Sequence, residues 1–367
     1  MSNTMGRLYK VTCFGESHGR CVGVVVDGCP AGHRLDKEHL QAELDRRRPG
    51  QSGVSTPRME EDAVEVLSGV FDGVTTGAPV CMLVWNRDAD STRYEERRWT
   101  PRPGHADYTA EKRYGGHQDY RGGGRFSGRL TAGHVMAGAL AKQVLAATHG
   151  IEVLGYTCQI GSHTAPDVSL EQVRGNTDSN PVRCPDPDTA RMKEEAIRGA
   201  RDEGDSLGGA VKCMVLNVPP GVGQPVFDTL EGDLAKALFS VPAVKAVEFG
   251  AGKALASMRG SESNDPYKVA GGRVETESNN MGGVLGGVST GAPVEFTVTF
   301  KPTPSISKPQ RTVDLKSLEE TTIKVEGRHD PCIVPRAVPV VESVAATVVL
   351  DHLMQRGHVG QVLGETL

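Results

Sequence analysis

Apolar and polar positions along this chain change period from segment to segment. Near-alternating, valine-rich runs bounded by turn residues predict strands over residues 8–14 and 21–27. Leu35, Leu40 and Leu44 then recur at helical spacing behind Asp36, with acids in the first turns, and predict a helix over residues 37–48. Ala132, Val135, Met136, Ala139, Leu140, Val144 and Ala147 share one face of a second helix, with Gly150 placed to end it. Further on, 151–160 reads as a strand, 190–203 as an amphipathic helix and 211–218 as a strand. A helix over 230–239, a strand entered through 241–245 and a closing helix over 341–354 complete the pattern. Residues 259–283 are polar and glycine-rich, which predicts a long mobile loop, a lid or an oligomer contact.

One stretch occurs twice. Gly69-Val-Phe-Asp-Gly-Val-Thr-Thr-Gly-Ala-Pro-Val80 returns as Gly283-Val-Leu-Gly-Gly-Val-Ser-Thr-Gly-Ala-Pro-Val294, and each copy leads into an apolar strand. Two matching turn–strand units so far apart predict two halves built on one plan around one core. Helices and strands mix without regular βαβ alternation, and no G-x-G-x-x-G joins a strand to a helix, so a dinucleotide fold is excluded.

With 367 residues, 38% of them hydrophobic, the chain can bury a large core. No apolar run is long enough to cross a membrane, and residues 1–10 lack a secretory apolar segment, so a cytoplasmic location is expected. Eight cysteines form no C-x-x-C pair, which predicts buried free thiols and no zinc site.

Two motifs carry chemistry. Gly15-Glu-Ser-His-Gly19 matches the nucleophile elbow of serine hydrolases, but a β-branched run follows where that elbow needs a helix. The turn instead presents Ser17 and His18 at the tip of a hairpin. Eight arginines lie between Arg93 and Arg129 in a chain of net charge −5, around Arg102-Pro-Gly-His-Ala-Asp107 and Asp119-Tyr-Arg-Gly-Gly-Gly-Arg125. Glycines ahead of a helix offer backbone donors to an anion. Local basicity inside an acidic protein points to a small polyanion in a pocket, and a single Arg-Gly block argues against an RNA-binding box. Arg46-Arg47-Arg48 at the end of the first helix suits either its dipole or a flap over an anion.

Taken in order, Gly15–Gly19, the 45–50 block Asp-Arg-Arg-Arg-Pro-Gly, the two arginine blocks and Gly327-Arg-His-Asp-Pro331 resemble chorismate synthase over nearly the whole chain. The resemblance implies one α+β domain over residues 1–367, a β-α-β sandwich with helices between two antiparallel sheets and an internal pseudo-twofold repeat, assembled as a homotetramer. It implies a 1,4-anti-elimination of phosphate from 5-enolpyruvylshikimate-3-phosphate to chorismate, dependent on reduced FMN although no net redox change occurs. By the same resemblance His105 is the acid near the substrate phosphate, His18 protonates the reduced flavin, and Asp330 helps flavin N5 act as base. Arg47, Arg48, Arg102, Arg129 and Arg336 would clamp the substrate with Ser17 and Ser127. The flavin would be held by Arg47, Arg125, Phe126, Ser127, Ala243, Gly286, Lys301, Pro302, Thr303, Pro304, Ser305 and Arg328. NADPH is the reductant the resemblance brings in. Gly53 stands where some members carry a basic residue linked to it, with Arg58 the next basic side chain. Pro242 replaces an asparagine seen in some members.

Overall fold

The computed structural model describes residues 3–50, 61–87, 91–325, 327 and 329–364. Its first half runs β1 (Lys10–Gly15), β2 (Cys21–Asp27), α1 (Lys37–Arg47), β3 (Glu65–Ser68), a small hairpin (Val70–Phe71 with Val74–Thr75), β4 (Val80–Trp85), α2 (Asp107–Tyr114) and α3 (Thr131–His149). The second runs β5 (Glu152–Ile160), α4 (Pro187–Asp202), β6 (Gly209–Leu216), α5 (Leu230–Leu238), β7 (Val244–Phe249), a small hairpin (Val284–Leu285 with Val288–Ser289), β8 (Val294–Phe300) and α6 (Val334–Gln355). With α4 set aside, the two runs share one order except for α2.

Two antiparallel five-stranded sheets result. Leaving out a short edge strand from each, their orders are β1-β2-β4-β3 and β5-β6-β8-β7, which are equivalent positions of the two halves. The sequence repeat folds alike in both copies. Thr76 N–H donates to Gly69 O at 3.0 Å and Thr290 N–H to Gly283 O at 2.9 Å. Ala78 and Ala292 N–H then reach the hydroxyls of Thr76 and Thr290 at 3.3 and 3.2 Å. Gly69 and Gly283 hold φ of +81° and +77°, a region costly for any residue with a Cβ.

The fold is mixed α+β, and the core lies between helices and sheets. α3 rests on β2, α6 rests on β5 and β6, and the two helices pack along each other, with α1 beside α3 and α5 beside α6. Gly138 marks their closest approach, because a Cβ there would lie 2.2 Å from the Ser343 Cβ. Asp36 caps α1 by accepting His39 N–H at 2.9 Å, and Gly150 ends α3 in the left-handed conformation, both as the sequence predicts. Near the other end of α6, Asp351 accepts the backbone N–H groups of Arg7, Leu8 and Tyr9 at 2.7–3.0 Å.

Four expectations are corrected. α6 begins at Val334, seven residues earlier than the apolar pattern places it, and runs through Pro335 and Pro339. At that length it is long and apolar enough to cross a membrane, against the sequence reading, yet its apolar window is wholly buried inside the protein. Residues 259–283 are not a structureless loop: a short helix (Gly260–Ser263) precedes the hairpin Tyr267–Ala270 with Arg273–Thr276. Asp265 closes its base by accepting from Ser278, Asn280 and Met281 at 2.6–3.0 Å. The cysteines are free, but Cys13, Cys21, Cys81 and Cys158 are only half-buried.

Candidate active site

The connections that follow β4 and β8, together with the ends of α1 and α5, enclose a cavity of about 1100 Å³. That is at the upper end of the roughly 300–1,000 Å³ usual for small-molecule sites. On its wall stand Ser17, His18, Arg47, Arg102, His105, Arg125, Phe126, Ser127, Arg129, Ala243, Lys301, Thr303, Pro304, Ser305, Asp330 and Arg336. Sites read from five separate blocks of sequence thus meet in one place.

The glycine run is the pivot of the charged wall. Gly122, Gly123 and Gly124 all hold positive φ, a sequence of angles only glycine takes at low cost. A Cβ on Gly122 would lie 2.3 Å from His18, and one on Gly123 would lie 2.9 Å from His105. Neighbouring residues therefore make room for the two histidines. The run leads into α3 through Ser127 and the short turn Gly128–Leu130.

His105 is held from behind. Its Nδ1 lies 2.6 Å from Asp107 Oδ1, and Asp107 also takes Arg102 Nε and Nη2 at 2.8 Å each. The acid fixes both the tautomer and the guanidinium plane. Burial would raise the Asp107 carboxyl, but Arg102 and His105 hold it well below the usual carboxylate range. Burial also lowers His105 against the pull of Asp107, so the imidazole is neutral near pH 7, with Nε2 as its proton-accepting atom. Arg102 Nη1 donates to Ser305 at 3.1 Å, joining the two connections. His18 Nδ1 meets Ser91 Oγ at 2.9 Å, and Tyr94 packs edge-on at 5.0 Å.

A second acid, which carries no sequence signal, does the same for two more arginines. Asp62 is fully buried and takes Arg47 Nη2 at 2.9 Å and Arg129 Nη1. Burial opposes its charge, yet the two guanidinium groups keep it ionised. Arg129 also donates from Nε to Asn86 Oδ1 at 2.8 Å and from Nη2 to the Trp85 carbonyl at 3.2 Å, so it braces the wall. Arg47 keeps a buried Nε without a partner, and burial brings its ionisation down to about 10. A third pair is Asp330 with Arg336, whose Nε also donates to Arg47 O at 3.0 Å.

The cavity also has an apolar part to its lining, Phe239, Val241, Pro242, Ala243 and Val244, followed in the chain by Lys245. Ala243 sits at φ +73°. Thr303 Oγ1 is buried there without a partner, a hydroxyl ready for a polar ligand atom.

A sequence model of the chorismate synthase family matches residues 9–354. The chain belongs to the chorismate synthase family. The chorismate synthase of Dehalococcoides mccartyi (strain BAV1) is 51% identical over 99% of this chain and 100% of its own length. That of Methanopyrus kandleri is 56% identical over 97% and 94%. A crystal structure of chorismate synthase superposes with a TM-score of 0.76 at 28% identity, covering 96% of this chain and 93% of that one. Membership makes the chain a lyase of the shikimate pathway.

Not every residue the resemblance names reaches the cavity. Arg48 leaves it: its Nε pairs with Asp45 at 3.2 Å on the outer side of α1, and Arg47 takes the inner place. Pro302 is exposed and off the wall. Gly286 lies in the hairpin packed on the N-terminus of α5, where Gly287 O accepts Leu230 N–H. The cavity touches the other end of that nine-residue helix, roughly 13 Å away along its axis. Arg328, Gly53 and Arg58 lie outside the described residues.

Proposed function

We propose that this cavity eliminates phosphate from 5-enolpyruvylshikimate-3-phosphate to give chorismate, with the substrate against the arginine wall and reduced FMN against the apolar one. The observation that carries the reading is His105, backed by Asp107 and set beside Arg102 on the cavity wall. A substrate with one phosphate and two carboxylates matches guanidinium groups whose acids lie behind them, leaving donors toward the cavity.

The residues fit a flavin. Phe239, Val241, Pro242, Ala243 and Val244 offer apolar lining, Thr303 an unmatched hydroxyl, and Lys245, Lys301 and Arg125 positive charge for a phosphate. When bound, reduced FMN supplies electron density to the breaking C3–O bond and a nitrogen that takes up the C6 proton. The chain's own part is positioning and proton handling. Arg102, Arg47 and Arg336 orient the anion, and their paired acids keep each guanidinium from turning. An incoming phosphate raises the proton affinity of His105, which then places a proton at Nε2 for the leaving phosphate. His18, held through Nδ1 by Ser91, presents Nε2 beside Gly122 to the flavin side. Asp330 reaches the reaction through Arg336, the partner its carboxylate holds.

As the resemblance implies, we take the chain as one domain with helices sandwiched between its sheets, working as a homotetramer in the cytoplasm. The shared core of both halves and the matching sheet orders support the domain reading. Anaerobic turnover with photoreduced FMN tests the function. Chorismate should form only when reduced FMN and substrate are both present, and the arm with NADPH and oxidised FMN shows whether the chain reduces its own flavin. No chorismate under reduced flavin would overturn the reading.

A further inference from the structure

Outside the cavity, Arg183 occupies an unusual place. It sits at φ +50° in the turn before α4, is buried, and its guanidinium reaches three elements. Nε donates to Asp178 Oδ1 at 2.8 Å, Nη1 to Pro335 O at 2.6 Å and Nη2 to Arg46 O at 2.7 Å.

Both carbonyls lack a helical partner, each for its own reason. Arg46 O belongs to the last turn of α1, beyond which no N–H continues the ladder. Pro335 O would be served by the residue four positions on in α6, but that residue is Pro339, which has no N–H. One guanidinium satisfies both. The residues that follow these carbonyls are Arg47 and Arg336, which stand together on the cavity wall and are joined by the Arg336 Nε–Arg47 O bond.

We propose that Arg183 is a positioning residue that fixes the separation of Arg47 and Arg336 by gripping the backbone carbonyl immediately before each. The proposal rests on the reading that these two arginines hold the anionic substrate. A rigid, planar fork can span two acceptors at once, whereas an ammonium on a flexible stem holds them without fixing their spacing. The same bonds would also stabilise the fold, so the two roles must be separated by experiment.

Pro339 provides the means. In Pro339→Ala the Pro335 carbonyl regains a helical N–H, so the stability lost on removing Arg183 should shrink in that background. Arg183→Met, Arg183→Lys, Pro339→Ala and Arg183→Met/Pro339→Ala are compared in the full-length protein with saturating reduced FMN under anaerobic conditions. KM for the enolpyruvyl substrate, kcat and thermal midpoint are read for each. We expect Arg183→Met to raise KM by roughly 10–100-fold, the scale for a displaced anchor. Arg183→Lys should fall between Met and parent. The double variant should recover part of the lost thermal stability but none of the KM. Recovery of KM along with stability, or a lowered midpoint with KM unchanged in Arg183→Met, would overturn the proposal. A parent protein that makes no chorismate would instead remove the reading beneath it.

Discussion

The two halves of the molecule share a plan and differ in what they bring to the cavity. In each, a connection leads from the repeat strand (β4 or β8) to a core helix (α3 or α6), and a second helix (α1 or α5) ends at the same opening. In the first half those segments carry arginines backed by Asp62 and Asp107. In the second they carry Phe239, Val241, Pro242 and a proline-rich run after Lys301. The sheets decide where the cavity lies, and the connections decide its chemistry. The first half supplies most of the charged lining, with Arg336 added from α6, and the second supplies most of the apolar lining.

The contrast can be broken at its charged side first. His105→Ala should lower turnover by roughly 10²–10⁴, the usual contribution of a positioned proton donor, while FMN binding persists. Comparable turnover in variant and parent at saturating substrate would place the proton source elsewhere. Close in size, Asp62→Ala leaves Arg47 and Arg129 buried without their shared counter-charge and should cost about 3–5 kcal/mol in a denaturant titration. A shift below ~1 kcal/mol would show that solvent reaches both guanidinium groups.

The apolar side predicts a smaller and different loss. Phe239→Ala should weaken reduced FMN by about 1 kcal/mol, near fivefold, and leave KM for the substrate alone. If substrate binding suffers more than flavin binding, the assignment of walls is reversed. The smallest effect comes from His329, on the second-half connection beside Arg102. Burial first, and the positive charge of Arg102 next, push it down to about 4. An unfolded histidine takes its proton near 6.5, so the unfolded state binds more protons between those values, and stability falls as pH drops through that window. Between pH 7 and 6 the loss should be about 0.5–1 kcal/mol and should be absent in His329→Gln. An identical slope in both proteins would assign the effect to other groups.

Much of this was legible in the sequence, and the failures have physical causes. The repeat, the capped helix α1 and the face of α3 follow from local spacing and turn chemistry, which the fold leaves intact. Asp62 was invisible because an acid in a polar loop has no pattern, and its arginines lie 15 and 67 positions away. The choice between Arg47 and Arg48 did carry a signal: Leu40, Leu44 and Arg47 are buried on one stripe at spacings of four and three. The start of α6 was missed because Pro335 and Pro339 read as breakers, whereas Pro335 stands in the first turn and Arg183 answers the gap left by Pro339. The plain loop expected over 259–283 gave way to a hairpin because a glycine pair, Gly271-Gly272, also makes a hairpin turn.

The grip of Asp351 on Arg7, Leu8 and Tyr9 concerns time. Residues 342 positions apart must meet before those three N–H groups find their acceptor. At roughly 5–20 residues per second, a ribosome separates their appearance by roughly 20–70 s. Throughout that interval the beginning of the chain exists without its end. The first sheet can pair from its own hairpins, but the turn leading into it stays open until α6 emerges. The protein is therefore closed by its last helix, and a chain arrested before Asp351 leaves the ribosome with its opening turn unsecured.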